Sequence, residues 1–245
     1  MKEPVVRKGL GAVLAVALWA AAAASATAQS AKPVDLEGVW KIATPAASLK
    51  PVGGSVPFTA AGRKHYEKNK QLRAKAAYDE YDITLSRCSS PGATRLMLTP
   101  MRFKIWQRQG VVTFDYEWNR AIRQIDTRGL PPQHDDMFGS DLVPTMTGNS
   151  KGHWEGSTLV AVTDNINERT LIDDLVPHTV DLKVTEHIRL VDHETLEDRI
   201  TIEDPAYFNR AWDAVITYKR QPAAPFPEDV CLDRLEAHQP VFPAQ

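Results

Sequence analysis

Only two cysteines, Cys88 and Cys231, occur in the 245 residues. That is too few for a disulfide-dense scaffold or a four-cysteine zinc site. Neither sign of charge is in surplus: 29 Lys+Arg face 31 Asp+Glu. A nucleic-acid binder neutralises phosphates with a basic excess, so the balance argues against that class. Aromatic residues make up 8% of the chain, against 43% hydrophobic and 24% charged. This is an ordinary globular composition, neither disordered nor collagen-like. The sequence has no GxGxxG or HExxH motif, no Cys/His ladder and no internal repeat. A dinucleotide domain is therefore not expected, nor any other cofactor.

One apolar run stands out, and it is short. Leu10 to Ala24 is 15 residues of apolar or small side chains, preceded by Lys2, Arg7 and Lys8. A bilayer-spanning helix needs roughly 20. The charged start, the short run and Ala26-Thr27-Ala28 fit a secretory signal peptide over residues 1–28, cleaved after Ala28. The expected product is a single domain over residues 29–245, periplasmic or secreted, with no transmembrane segment after processing. In an oxidising compartment two lone cysteines usually pair, which predicts a Cys88–Cys231 disulfide; two free buried thiols are the alternative.

Along the mature chain the period is mostly two. Gly38 to Ile42 reads as a first strand, and Phe103, Ile105 and Gln107 alternate with Lys104, Trp106 and Arg108. After a turn at Gln109-Gly110, Val112, Phe114, Tyr116 and Trp118 line one face. Strands follow over Ala121–Asp126, Lys151–Glu155 and Thr158–Thr163. Alternation over His178–Leu190, Leu196–Asp204 and Trp212–Tyr218 predicts a closing three-strand meander. Thr59 is a good N-cap for one surface helix over Ala60–Ala77. Arg87 to Pro100 and the Pro-rich tail from Pro222 read as irregular, and Thr127–Thr147 as a long loop. Eight or so strands with one helix predict an all-β, mainly antiparallel fold: a lipocalin-like barrel or a strongly curved sheet.

Gly38-Val39-Trp40, opening the first strand, resembles the glycine-any-tryptophan start of lipocalins and related calycins. That resemblance implies a Trp plugging one end of a barrel. A wider resemblance rests on Asp35–Trp40, Pro57-Phe58-Thr59, Cys88–Arg95, Gly152–Val160 and Ile202–Pro205. These stretches look like those of an uncharacterised family of secreted bacterial proteins with a G-x-W-E-G-x-T-L-V turn. The resemblance implies a common fold and export, and it carries over no catalytic residues.

Candidate site residues come from parity. In a strand successive side chains alternate faces, so Glu186 shares the inward face with Val184 and Ile188. Asp198 and Asp204 share one with Leu196, Ile200 and Ile202. A carboxyl held among aliphatics is what general acid/base chemistry near neutral pH requires. The expected catalytic set is Glu186, His178 and Asp204, with Tyr116, Trp118, Asn165 and Tyr218 binding substrate. A structural alternative pairs Glu186 with an inward arginine such as Arg123, and leaves Asp204 to cap a strand end. Trp40, Trp106, Phe114, Trp118 and Trp212 line either a pocket or the core. His134-Asp135-Asp136 has cation-binding side chains but no further ligand at a recognisable spacing, so no metal site is expected. These readings support a cofactor-free lyase, isomerase or hydrolase acting on a small apolar or amphipathic molecule. A non-catalytic carrier for such a ligand and a structural envelope protein are the alternatives. A filled interior favours the structural reading, and an aromatic-lined one without a poised acid favours the carrier.

Overall fold

A computed structural model of the chain describes residues 1–2, 34–129 and 143–243. The signal segment beyond its first two residues, and the His134-Asp135-Asp136 cluster, lie outside these. Nine strands close into one barrel in sequence order. They are β1 (Gly38–Ile42), β2 (Phe103–Arg108), β3 (Val111–Tyr116), β4 (Ile122–Asp126), β5 (Asn149–Glu155), β6 (Thr158–Asp164), β7 (Lys183–Asp192), β8 (Thr195–Glu203) and β9 (Trp212–Gln221). Every neighbouring pair is antiparallel except β4 and β5, which run parallel. Among the described residues three α-helices lie between β1 and β2, α1 (Ala60–Ala74), α2 (Ile83–Arg87) and α3 (Ala93–Leu96), and a fourth, α4 (Cys231–Glu236), follows β9.

The topology sorts the connections. Tight turns at 109–110, 156–157 and 193–194 lie at the end of the barrel where β1 begins. The long connections 43–102 and 165–182 lie at the opposite end. Trp40 closes the short-turn side. It has no accessible surface, its Nε1 donates to the Leu36 carbonyl at 3.1 Å, and the Arg220 guanidinium lies 4.2 Å from its ring centroid. Gly38, at φ +147°, makes room for that arrangement: a Cβ there would sit 2.2 Å from Arg220 Nη1. This is the physical reason for a glycine two residues before the tryptophan.

The long-loop end is closed by the chain itself. Leu96, Met97, Leu98 and Met101 are buried, and Met97 reaches into the barrel. Cys88, the left-handed C-cap of α2, is bonded to Cys231 at the start of α4. Arg95 of α3 donates to both oxygens of Asp82, at 2.8 and 2.9 Å, and both residues are buried. Trp118 Nε1 donates to the Val241 carbonyl at 2.9 Å, fastening the C-terminal tail beside the same helices.

Several expectations change. The helix from Thr59 is capped as expected, with Gly62 N donating to Thr59 Oγ1 at 3.1 Å, but it ends at Ala74 because Ala76 turns left-handed. The stretch read as irregular between Arg87 and Pro100 holds α3 and the end of α2. β7 begins at Lys183, five residues after His178: the backbone from 178 to 182 turns, and Val180, expected inward, is 48% exposed. Trp106 faces outward, 41% exposed, because β2 alternates and Ile105 takes the inward position.

Candidate functional site: a buried polar cluster inside the barrel

Seven strands, β3 to β9, send polar side chains into the barrel centre. Arg123 of β4 is the hub. Its Nη1 donates to Glu186 Oε1 at 2.8 Å, and its Nη2 bonds the other carboxylate oxygen. Nη2 also reaches Thr163 Oγ1 at 2.8 Å, and Nε reaches Ser150 Oγ at 3.1 Å. Ser150 and Thr163 bond each other at 2.8 Å. One guanidinium thus ties β4 to β5, β6 and β7 through its rigid fork of donors. Burial alone would lower the Arg123 pKa, but the Glu186 charge and the bonds to it outweigh burial and raise it.

The hub lies where the wall is thinnest. β4 and β5 share two register pairs, Ile125 with Ser150 and Asp126 with Lys151. Gly152 helps close the seam: a Cβ there would meet Ile125 Cγ2 at 2.7 Å. The arginine supplies from inside what the ladder does not supply from the wall.

Asp198 of β8 faces the same space and differs in kind. It is fully buried, and among the described residues no group donates a hydrogen bond to either carboxyl oxygen; its neighbour is the Glu186 carboxylate, to which it donates when protonated. Burial, then the neighbouring Glu186 charge, push its pKa well above the ordinary carboxylate range. Asp198 therefore keeps a proton where most carboxyls have lost theirs, which is the state of a general acid. Tyr116 and Tyr218 complete the cluster. Tyr116 donates its hydroxyl to Met97 Sδ at 2.9 Å, and Tyr218 donates to the Met97 carbonyl at 3.1 Å. Burial raises both phenols.

The structure brings three of the sequence-predicted residues together and leaves the other four apart. Glu186, Tyr116 and Tyr218 share the barrel centre. His178 lies on the loop before β7, its two ring nitrogens 2.8 Å from Thr170 Oγ1 and from the Thr179 carbonyl. In the neutral ring Nδ1–H donates to that carbonyl and Nε2 accepts from the threonine; burial lowers its pKa. Asp204 accepts from Thr179 N at 2.6 Å and from Ala206 N at 3.1 Å, so it holds a turn. Trp118 binds the chain's own tail. Asn165, at φ 53°, donates to the Val143 carbonyl at 3.3 Å. The role of Asp198 had a sequence signal, its inward parity. Thr163 had the same signal, sharing the inward face of its strand with Leu159 and Ala161; the roles of Ser150 and Met97 depend on elements distant in sequence.

A separate cleft of about 270 Å³ opens at the long-loop end. Pro45, Ala46, Ala47, Leu98, Pro100 and Phe242 supply its apolar wall. The charged groups at its edge are already engaged: Arg95 by Asp82, and Asp174 by Ser48 and Arg73. Among the described residues no group of three or more His, Cys, Asp or Glu is placed to hold a metal ion. Nor is any helix among them long and apolar enough to cross a membrane. The chain matches no protein-family model, and no curated protein is significantly similar to it.

Proposed function

We propose that the protein is an exported binding protein for a small apolar molecule, which it holds in the cleft at the long-loop end of the barrel. One observation carries this reading. The place where a barrel of this kind would hold a ligand is filled by the chain's own Met97, bonded to Tyr116 and Tyr218. Recognition then falls to the cleft outside, whose polar atoms are already satisfied and which therefore favours an apolar guest. The Cys88–Cys231 bond and the signal-like leader support an oxidising compartment.

Asp198 favours a second reading, acid/base chemistry on a small molecule. A protonated buried carboxyl beside two tyrosines is a proton donor in need of a substrate, and Met97 would have to move aside to admit one. Glu186 is the weaker candidate for such a role, since Arg123 engages both its oxygens.

Titration with N-phenyl-1-naphthylamine, a neutral fluorescent apolar probe, separates the readings. The binding reading expects one saturable site, weakened about tenfold or more by Ala47→Trp, which fills the cleft. It is abandoned if that variant binds like the wild type or if the probe does not bind. Entry into the centre, which the acid/base reading needs, would appear as a second site in Met97→Ala.

A further inference from the structure

The surface helix α1 and its C-cap Lys75 hold six of the chain's 29 Lys+Arg and one of its 31 Asp+Glu. The helix buries Gly62, Asn69 and Leu72 against the protein. At 3.6 residues per turn the opposite face carries Lys64, Lys68, Gln71 and Lys75, all of them exposed. We propose that this face docks the protein electrostatically onto an anionic phospholipid surface, without insertion.

Unpaired charge is the first argument. Glu67, the one acid of the helix, is engaged by Lys70 at 2.9 Å. Arg73 pairs with Asp174, and the Arg63 guanidinium lies 4.6 Å from the ring centroid of Phe58. Among the described residues no carboxylate pairs with Lys64, Lys68 or Lys75. Their spacing puts three uncancelled charges in a row about 16 Å long.

The second is that the arrangement works against the helix. Acids near the N-terminus and opposite signs at i,i+4 favour a helix. α1 has no acid in its first turn and carries Arg63 and Lys64 close to that end. Lys64 and Lys68 form a like-charge i,i+4 pair. Solubility alone is served by mixed signs. Departures from local preference of this kind concentrate at functional positions.

Shape is the third. The inward side of the helix is spent on the protein: Gly62 leaves no room for a Cβ against the Tyr207 carbonyl, and Asn69 Nδ2 donates to the Leu175 carbonyl at 2.9 Å. The outward side is convex and presents no large apolar side chain. Protein interfaces bury a charge-depleted apolar core, which this face lacks. Lysine ammoniums are point charges without the fork that grips one phosphate bidentately. A row of them matches a continuous layer of headgroup charge. The rest of the chain is net negative, which repels a soluble polyanion that would wrap it and turns α1 towards a charged plane.

Co-sedimentation with unilamellar vesicles tests this. The chain from Gln29 is used, so that the apolar run Leu10–Ala24 cannot insert. All nine strands and all four α-helices lie beyond that point, and a cooperative melt checks its folding. The expected result is binding to vesicles of phosphatidylglycerol and phosphatidylcholine in equal parts, none to phosphatidylcholine alone, and release by added salt. A basic residue near an anionic surface is worth roughly fivefold in partitioning, so Lys64→Gln, Lys68→Gln and Lys75→Gln together should weaken binding about tenfold or more. Arginine at the same three positions should retain it. Lys104→Gln, Lys151→Gln and Lys183→Gln remove the same net charge from β2, β5 and β7, and should weaken it by less than about threefold. Ala47→Trp, which fills the cleft, should leave vesicle binding unchanged. Equal losses in the two triple glutamine variants would reduce the effect to net charge and overturn the proposal. Equal binding to both kinds of vesicle would overturn it, as would no binding by a folded wild type. Binding to soluble polyglutamate as tight as to the anionic vesicles would assign the face to an acidic polymer and overturn it as well.

Discussion

The meander and the seam solve the same problem by different means. β7, β8 and β9 are long strands joined by nine register pairs on one side of β8 and eight on the other. Their stability is carried by the ladder and by an inward aliphatic face of Val184, Ile188, Leu196, Ile200, Ile202 and Ile216. The parallel seam between β4 and β5 has two pairs and no hairpin to set its register. There the barrel is held from inside by Arg123, Ser150, Thr163 and Glu186. The contrast teaches that the buried ion pair is first a closure device. A buried pair seldom adds much net stability over an apolar replacement, yet removing one partner is costly, since the other charge stays behind. Glu186 is thereby committed, and the group left over is Asp198.

Breaking the hub should give the largest effect. Arg123→Met leaves Glu186 and Asp198 buried together without a cation, and should cost about 3–5 kcal/mol in denaturant unfolding. Glu186→Gln should cost less, because Asp198 is placed to take over the negative charge. A loss under about 1 kcal/mol in Arg123→Met would remove the closure role.

Asp198 sharpens the comparison from the opposite side. Its folded pKa is raised, so between the unfolded value near 4 and the folded one the native state holds a proton that the unfolded chain has released. Stability therefore falls as pH rises through that window, by up to about 1.4 kcal/mol per unit. Asp198→Asn lacks this linkage. It should be about 1–3 kcal/mol more stable than the wild type at pH 7, a gain that shrinks towards pH 4. Thermal melts across pH 4–8 check this, and a gap that does not change with pH would contradict it.

The smallest effect compares hydroxyls. Ser150→Ala removes a buried bond from the seam network and should cost about 1 kcal/mol. Thr201→Ala removes a bond to Asp213 at 2.9 Å on the outside of the meander and should cost only a few tenths of that. Equal losses would mean that the seam is no weaker than the meander.

Much of the wall was legible because strand alternation is local. The inward faces of Val112, Phe114 and Tyr116, and of Leu196, Asp198 and Ile200, follow from the period alone. Glu186 pointing inward, and an arginine such as Arg123 as its partner, came from the same parity. The early start assigned to β7 shows the limit of that method. The polar and apolar residues from 178 to 182 continue the alternation, but Leu182 N donates to the Thr179 carbonyl and the chain turns. A turn and a strand can carry the same pattern when tertiary contacts supply the backbone partners.

The sequence by itself determined the class of fold, the strand faces, the N-cap of the surface helix and the two cysteines available to pair. Each of these depends on neighbours in the chain or on composition. Tertiary structure alone decided that β4 and β5 run parallel, that Met97 occupies the barrel centre, that Arg123 spans four strands, and that Asp198 is buried beside the Glu186 carboxylate with no hydrogen-bonded cation. Those outcomes depend on which strands meet across the barrel, and such contacts between distant residues leave no period in the sequence to read.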